Sequence, residues 1–161
     1  MLKKINTTGL IISTLNILAS ISFSIFLTDS LTNNSDALNL VANVFSILSG
    51  FLLLVITMSG ENSAIMDNIS DLDAAYQEKR FLMRFNKYYA LFLLYILTLA
   101  LIFVFYLISK NKENTSQLFS LTKSVIGHAI AFLTCFSFIQ STFIPLKIKE
   151  LFREKRELNK K

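Results

Sequence analysis

Apolar residues run along this chain in four long blocks, and inside three of them the polar residues recur at helical spacing. The blocks cover residues 9–28, 38–58, 89–109 and 121–144. A helix crossing a hydrocarbon core about 30 Å thick needs roughly 20 predominantly apolar residues, because each backbone N–H and C=O must be satisfied within the segment. Every block meets that length, which predicts an all-α, polytopic membrane protein with four transmembrane helices. In the first block Ser13, Asn16, Ser20 and Ser24 fall on one side, while Ile12, Leu15, Ile21 and Phe23 take much of the remainder. In the second, Asn39, Asn43, Ser46 and Gly50 follow at steps of four, three and four residues. In the fourth, Ser124, His128, Ala131 and Cys135 share a face. Ser46 with Gly50, and Gly127 with Ala131, form small-xxx-small pairs that let helix backbones approach closely. The third block is apolar nearly all round, with Tyr88, Tyr89 and Tyr106 near its ends where aromatic belts sit, and is expected to be the lipid-facing helix.

Between the second and third blocks lies the longest polar segment, residues 59–88. Ile65, Ile69, Leu72 and Tyr76 recur there at helical spacing, so a helical extension beyond the membrane is expected. Acids come first, with Asp67, Asp71 and Asp73; bases follow, with Arg80, Arg84 and Lys87. A reversal near residues 73–79 would pair the two arms as a helical hairpin reaching roughly 20 Å from the membrane. After Pro145 the tail, residues 146–161, places Leu151, Phe152 and Leu158 at helical spacing among seven basic residues and reads as an amphipathic helix. Residues 29–36, with two acids and several Asn and Ser, read as a short loop.

Composition agrees with the membrane reading. The chain is 53% hydrophobic with a mean hydropathy of +0.53, above the apolar share of about 45–50% in soluble domains. The net charge of +5 follows the membrane rather than a nucleic-acid face: 13 of the 16 Lys and Arg residues lie in the N-terminus, the 59–88 segment and the tail. The positive-inside rule then predicts a multi-pass membrane protein with both termini and the 59–88 segment in the cytoplasm. The apolar run after Lys3 and Lys4 continues through Ile25, Phe26 and Leu27, past the length of a signal sequence, and is read as an uncleaved first span. Cys135 is the single cysteine, so no intrachain disulfide can form and a buried, inert thiol is expected.

No enzymatic constellation is visible. One His, no metal-ligand cluster, no glycine-rich phosphate loop and no Ser-His-acid set leave a non-enzymatic role without cofactor or metal as the expectation. His128 is the unusual membrane residue, readable as a proton- or voltage-sensitive gate or as a neutral imidazole hydrogen-bonding across helices; the second is preferred, since neutral imidazole needs no counter-ion. Asn16, Asn43, Ser46, Gly50, Gly127, His128 and Ala131 are the candidates for helix packing, with pore lining as their other reading. Asp67, Asp71, Asp73, Arg80, Arg84, Lys87, Arg153, Lys155 and Arg156 are the candidates for contact with a partner protein. The basic tail is also suited to anionic membrane lipids, and direct nucleic-acid binding is not expected.

The layout resembles small four-span membrane proteins of bacterial anti-phage defence, most nearly the membrane subunits of the Kiwa system, with RexB-type phage exclusion proteins as a second likeness. It is carried by the Lys3-Lys4 start, the short acidic 29–36 connection, a charged central segment with Glu78-Lys79-Arg80, and the basic tail. The likeness covers the whole chain as layout and transfers no functional residue. The Kiwa resemblance implies a homo-oligomeric inner-membrane subunit that senses infection at the envelope and works with a cytoplasmic, DNA-binding partner. The RexB resemblance implies an ion-conducting effector that depolarises the cell.

Overall fold

The computed structural model describes residues 7–61, 71–110 and 117–145, together with residues 149 and 153. They form four helices, α1 (Thr7–Thr32), α2 (Ser35–Glu61), α3 (Asp71–Lys110) and α4 (Gln117–Ser141). Each contains a stretch long and apolar enough to cross a membrane: Gly9–Thr32, Ser35–Thr57, Phe85–Lys110 and Gln117–Ser141. The protein is therefore an all-helical, multi-pass membrane protein.

The boundaries have local causes. Residues 29–36, expected as a loop, are mostly helix, and the reversal between α1 and α2 needs only Asn33 and Asn34. Asn34 caps α2: its side-chain oxygen accepts from the backbone N–H groups of Asp36 and Ala37, both at 3.1 Å. Asp36 adds a negative charge to that first turn, which the helix dipole favours. α3 is continuous over 40 residues. The reversal expected near residues 73–79 does not occur there; they lie inside α3, as suits a stretch with Ala74, Ala75, Gln77, Glu78 and Lys79 and without Gly or Pro. Residues 62–70 and most of the tail, with the helical arm read from Ile65 and Ile69 and the amphipathic tail helix, lie outside the described residues. α4 ends at Ser141, four residues before Pro145, whose missing N–H cannot serve the Ser141 carbonyl.

α1 packs mainly on α4, α4 on α3, and α3 on α2, while α1 and α2 touch only lightly. This order overturns the expectation that α3 is the lipid-facing helix. α3 sits between two neighbours and buries Tyr88, Leu91, Tyr95, Thr98, Ile102 and Phe105. Its uniform apolarity gave no warning, because in a bilayer lipid-facing and core-facing surfaces are equally apolar. α1 stands at one end of this order; its Phe26 is 80% exposed, and its Leu10, Ile11, Leu15 and Leu18 also face outward.

Two layers of contact tie the helices. Near the α1–α2 turn, the Tyr106 hydroxyl reaches the Ser35 carbonyl and the Asn39 side-chain oxygen, both at 3.1 Å. There too the Lys123 ammonium lies 5.7 Å from the centre of the Phe105 ring, a cation–π contact that keeps a charge near the membrane edge. Eleven residues along α3 from Tyr106, about 16 Å at 1.5 Å per residue, Phe45 of α2 stacks on Tyr95 of α3 at 5.1 Å and meets Phe138 of α4 at 5.2 Å. That aromatic layer lies near the middle of the candidate spans of α2 and α3 and joins three helices. Such ring pairs contribute about 0.5–1.5 kcal/mol beyond the area they bury.

Candidate functional site

The polar stripe of α1 becomes a seam against α4. Asn16, Ser20, Ser24 and Thr28 are buried at steps of four residues. Two of them reach across: the Asn16 amide donates to the Phe136 carbonyl at 3.4 Å, and the Ser24 hydroxyl donates to the His128 carbonyl at 2.9 Å. Ser20 instead donates to its own helix at Asn16, and Thr28 and Thr32 to Ser24 and Thr28. The antiparallel approach is closest where a side chain is missing. A Cβ on Gly127 would lie 3.2 Å from the Thr32 methyl and 3.4 Å from that of Thr28. Ala131 is fully buried one turn along. Small residues on α4 thus admit the hydroxyl-bearing face of α1, and interhelical bonds of this kind contribute about 0.6–2 kcal/mol.

His128 does not make the interhelical side-chain hydrogen bond that its preferred reading expects. Its Nδ1 lies 2.8 Å from the Ser124 carbonyl, on its own helix rather than across the bundle, and the residue is exposed. A carbonyl only accepts, so Nδ1 carries a proton and donates to it, and the ring lies on the outer face of α4. The contact with α1 is made by the His128 backbone.

A second polar cluster, centred on Tyr95, lies at the aromatic layer. Ser141 donates to the Ser137 carbonyl, so the Tyr95 hydroxyl is the donor in its bond to Ser141. Elsewhere among the described residues the hydroxyls of Ser49, Ser109 and Thr134, like that of Ser137 in this cluster, are buried without a hydrogen-bond partner. Tyr95 and Ser141 were missed from sequence, since a lone Tyr in a uniformly apolar helix and a Ser at a helix end give no periodic signal.

On α2 the stripe points the other way. Asn43, Ser46 and Gly50 are exposed, and a Cβ on Gly50 would meet nothing within 4 Å. Ser46 turns its hydroxyl to the Ala42 carbonyl at 2.8 Å. Asn43 lies two positions from Phe45, near the middle of the candidate span of α2. Of the stripe only Asn39 meets a neighbouring helix, through Tyr106. Cys135, expected to be buried, is half-buried.

The partner-contact candidates divide by position. Asp71, Asp73, Arg80 and Arg84 lie on the part of α3 that precedes its apolar stretch, and Lys87 is exposed just inside that stretch. Residues 71–84 therefore continue the membrane helix for about 21 Å at 1.5 Å per residue. Arg153 is helical and exposed, whereas Asp67, Lys155 and Arg156 lie outside the described residues. Among the described residues no three His, Cys, Asp or Glu side chains converge as metal ligands would. No protein-family model, curated protein or solved structure matches the chain.

Proposed function

We propose that this protein is a non-enzymatic inner-membrane subunit of an anti-phage defence system, which senses an envelope event and passes it to a cytoplasmic partner. The observation that carries this reading is the continuity of α3. One 40-residue helix holds Tyr95 within its apolar stretch and, without a break, the charge-bearing segment 71–84 beyond it. A shift or rotation of α3 in the bundle would move its projecting part as a rigid lever. A flexible linker would absorb such a movement. The defence context comes from the resemblance in layout, and the cytoplasmic placement from the distribution of Lys and Arg.

Homo-oligomerisation belongs to the same proposal. A carboxamide facing lipid near the middle of a span has unmet hydrogen-bonding capacity, and a second copy of α2 supplies both a donor and an acceptor for Asn43. The alternative, an ion-conducting pore or depolarising effector, is favoured by that same face. Asn16 is consumed in the α1–α4 seam, so a pore would have to form between copies, lined by Asn43 and Ser46.

The lever reading is tested by Arg80→Glu with Arg84→Glu. The double variant should insert and assemble in the membrane as the parent does while losing co-purification of the protein encoded by the adjacent gene. Retained co-purification would count against the partner surface. Ion flux through liposomes that Asn43→Leu abolishes would favour the pore.

A further inference from the structure

The groove between α2 and α3 at the end of the bundle that holds the α1–α2 turn has the chemistry of a lipid site. It is an open groove of about 400 Å³ lined by Ser35, Asn39, Phe103, Tyr106, Leu107 and Lys110. Its internal hydrogen bonds decide what it has left to offer. The Tyr106 hydroxyl donates toward the Ser35 carbonyl and Asn39 Oδ1. Those bonds occupy the Asn39 side-chain oxygen and leave its amide N–H groups turned to other acceptors. Lys110, exposed in the last turn of α3, adds an ammonium. The groove therefore offers donors and positive charge at its rim, and a fitting ligand must supply acceptors and negative charge.

Depth adds the second half of the specification. α3 runs toward this end, so Leu107 and Phe103 lie about 5 and 10 Å deeper than Lys110 at 1.5 Å per residue. They are 56% and 64% exposed, and both fall within the apolar stretch of α3. Donors at the membrane edge above an apolar wall reproduce the vertical order of a glycerophospholipid, with phosphate and ester oxygens above an acyl chain. We infer that this groove holds one glycerophospholipid of the adjoining leaflet, its phosphate on Lys110, an ester carbonyl on the Asn39 amide and an acyl chain along Leu107 and Phe103. The inference rests on the membrane placement of α2 and α3 and not on the defence role, so either can fail alone.

The full-length protein in vesicles of phosphatidylcholine and phosphatidylglycerol, doped with a phospholipid carrying a diazirine on its acyl chain, provides the test. After photolysis, mass spectrometry should find labelling at Phe103 and Leu107 enriched over Phe26 and Ile25 of α1, which are 80% and 65% exposed and serve as controls for plain lipid contact. The expected enrichment is about five-fold, the ratio that about 1 kcal/mol per basic residue at the surface corresponds to. Lys110→Ala, at an exposed position, should reduce the enrichment, and Lys110→Ala with Asn39→Leu should abolish it. Labelling that simply follows exposure, or enrichment unchanged in both variants, would overturn the site. Loss of enrichment on adding inorganic phosphate would also overturn it, by assigning the rim to a free anion.

Discussion

Single hydroxyl groups carry much of the information in this membrane core. Tyr95 donates to Ser141, which donates onward to the Ser137 carbonyl, so two helices share a directed chain of bonds beside the Phe45 ring. Thr134 lies in the same helix, 4% exposed, with its hydroxyl unpaired. A buried unpaired hydroxyl costs about 1–3 kcal/mol, and removing it at constant shape returns part of that. Thr134→Val should therefore raise the thermal unfolding midpoint in detergent, whereas Tyr95→Phe should lower it by the equivalent of about 1 kcal/mol. A destabilised Thr134→Val protein would show that the hydroxyl has a partner. The α1 polar residues were legible as one face because they repeat at helical spacing. Tyr95 was not, since its role depends on which helix stands opposite.

Among the elements, α1 with α4 and α2 alone use similar small-residue patterns to different ends. Gly127 has the Thr28 and Thr32 methyls where a Cβ would go, and Gly50 has open space. Gly127→Leu should accordingly separate α1 from α4 and lower the unfolding midpoint by the equivalent of about 1–3 kcal/mol, as overpacking does. Gly50→Leu should leave the protomer's stability unchanged and weaken self-association, read as a lower crosslinked-oligomer fraction in membranes. Equal effects on stability would remove the distinction between the two faces. Sequence spacing located both pairs but could not tell an internal seam from an outward face. That difference comes from the order of packing, in which α2 meets α3 through Phe45 and turns Asn43 and Gly50 away. The short α1–α2 turn was likewise hidden, because Asn34 as a cap and the back-bonded Thr28 and Thr32 let helix persist through residues that compose ordinary loops.

For the molecule as a whole, the number of spans was legible because the length of an apolar run is a direct response to bilayer thickness. Their arrangement was not, because a bilayer rewards apolar surface whether it meets lipid or another helix. The order α1, α4, α3, α2 makes α3 central and lets its far end project from the bundle. The proposed transfer of a membrane event depends on α3 being one rod from that projection to the core. Electron paramagnetic resonance between spin labels at Glu78 in the projection and the exposed Ala100 in the span, on a Cys135→Ser background, measures this directly. A continuous helix predicts one narrow distance distribution near 33 Å at 1.5 Å per residue. A broad distribution, or a distance well below that value, would mean that α3 bends or breaks at the membrane edge and would contradict the lever.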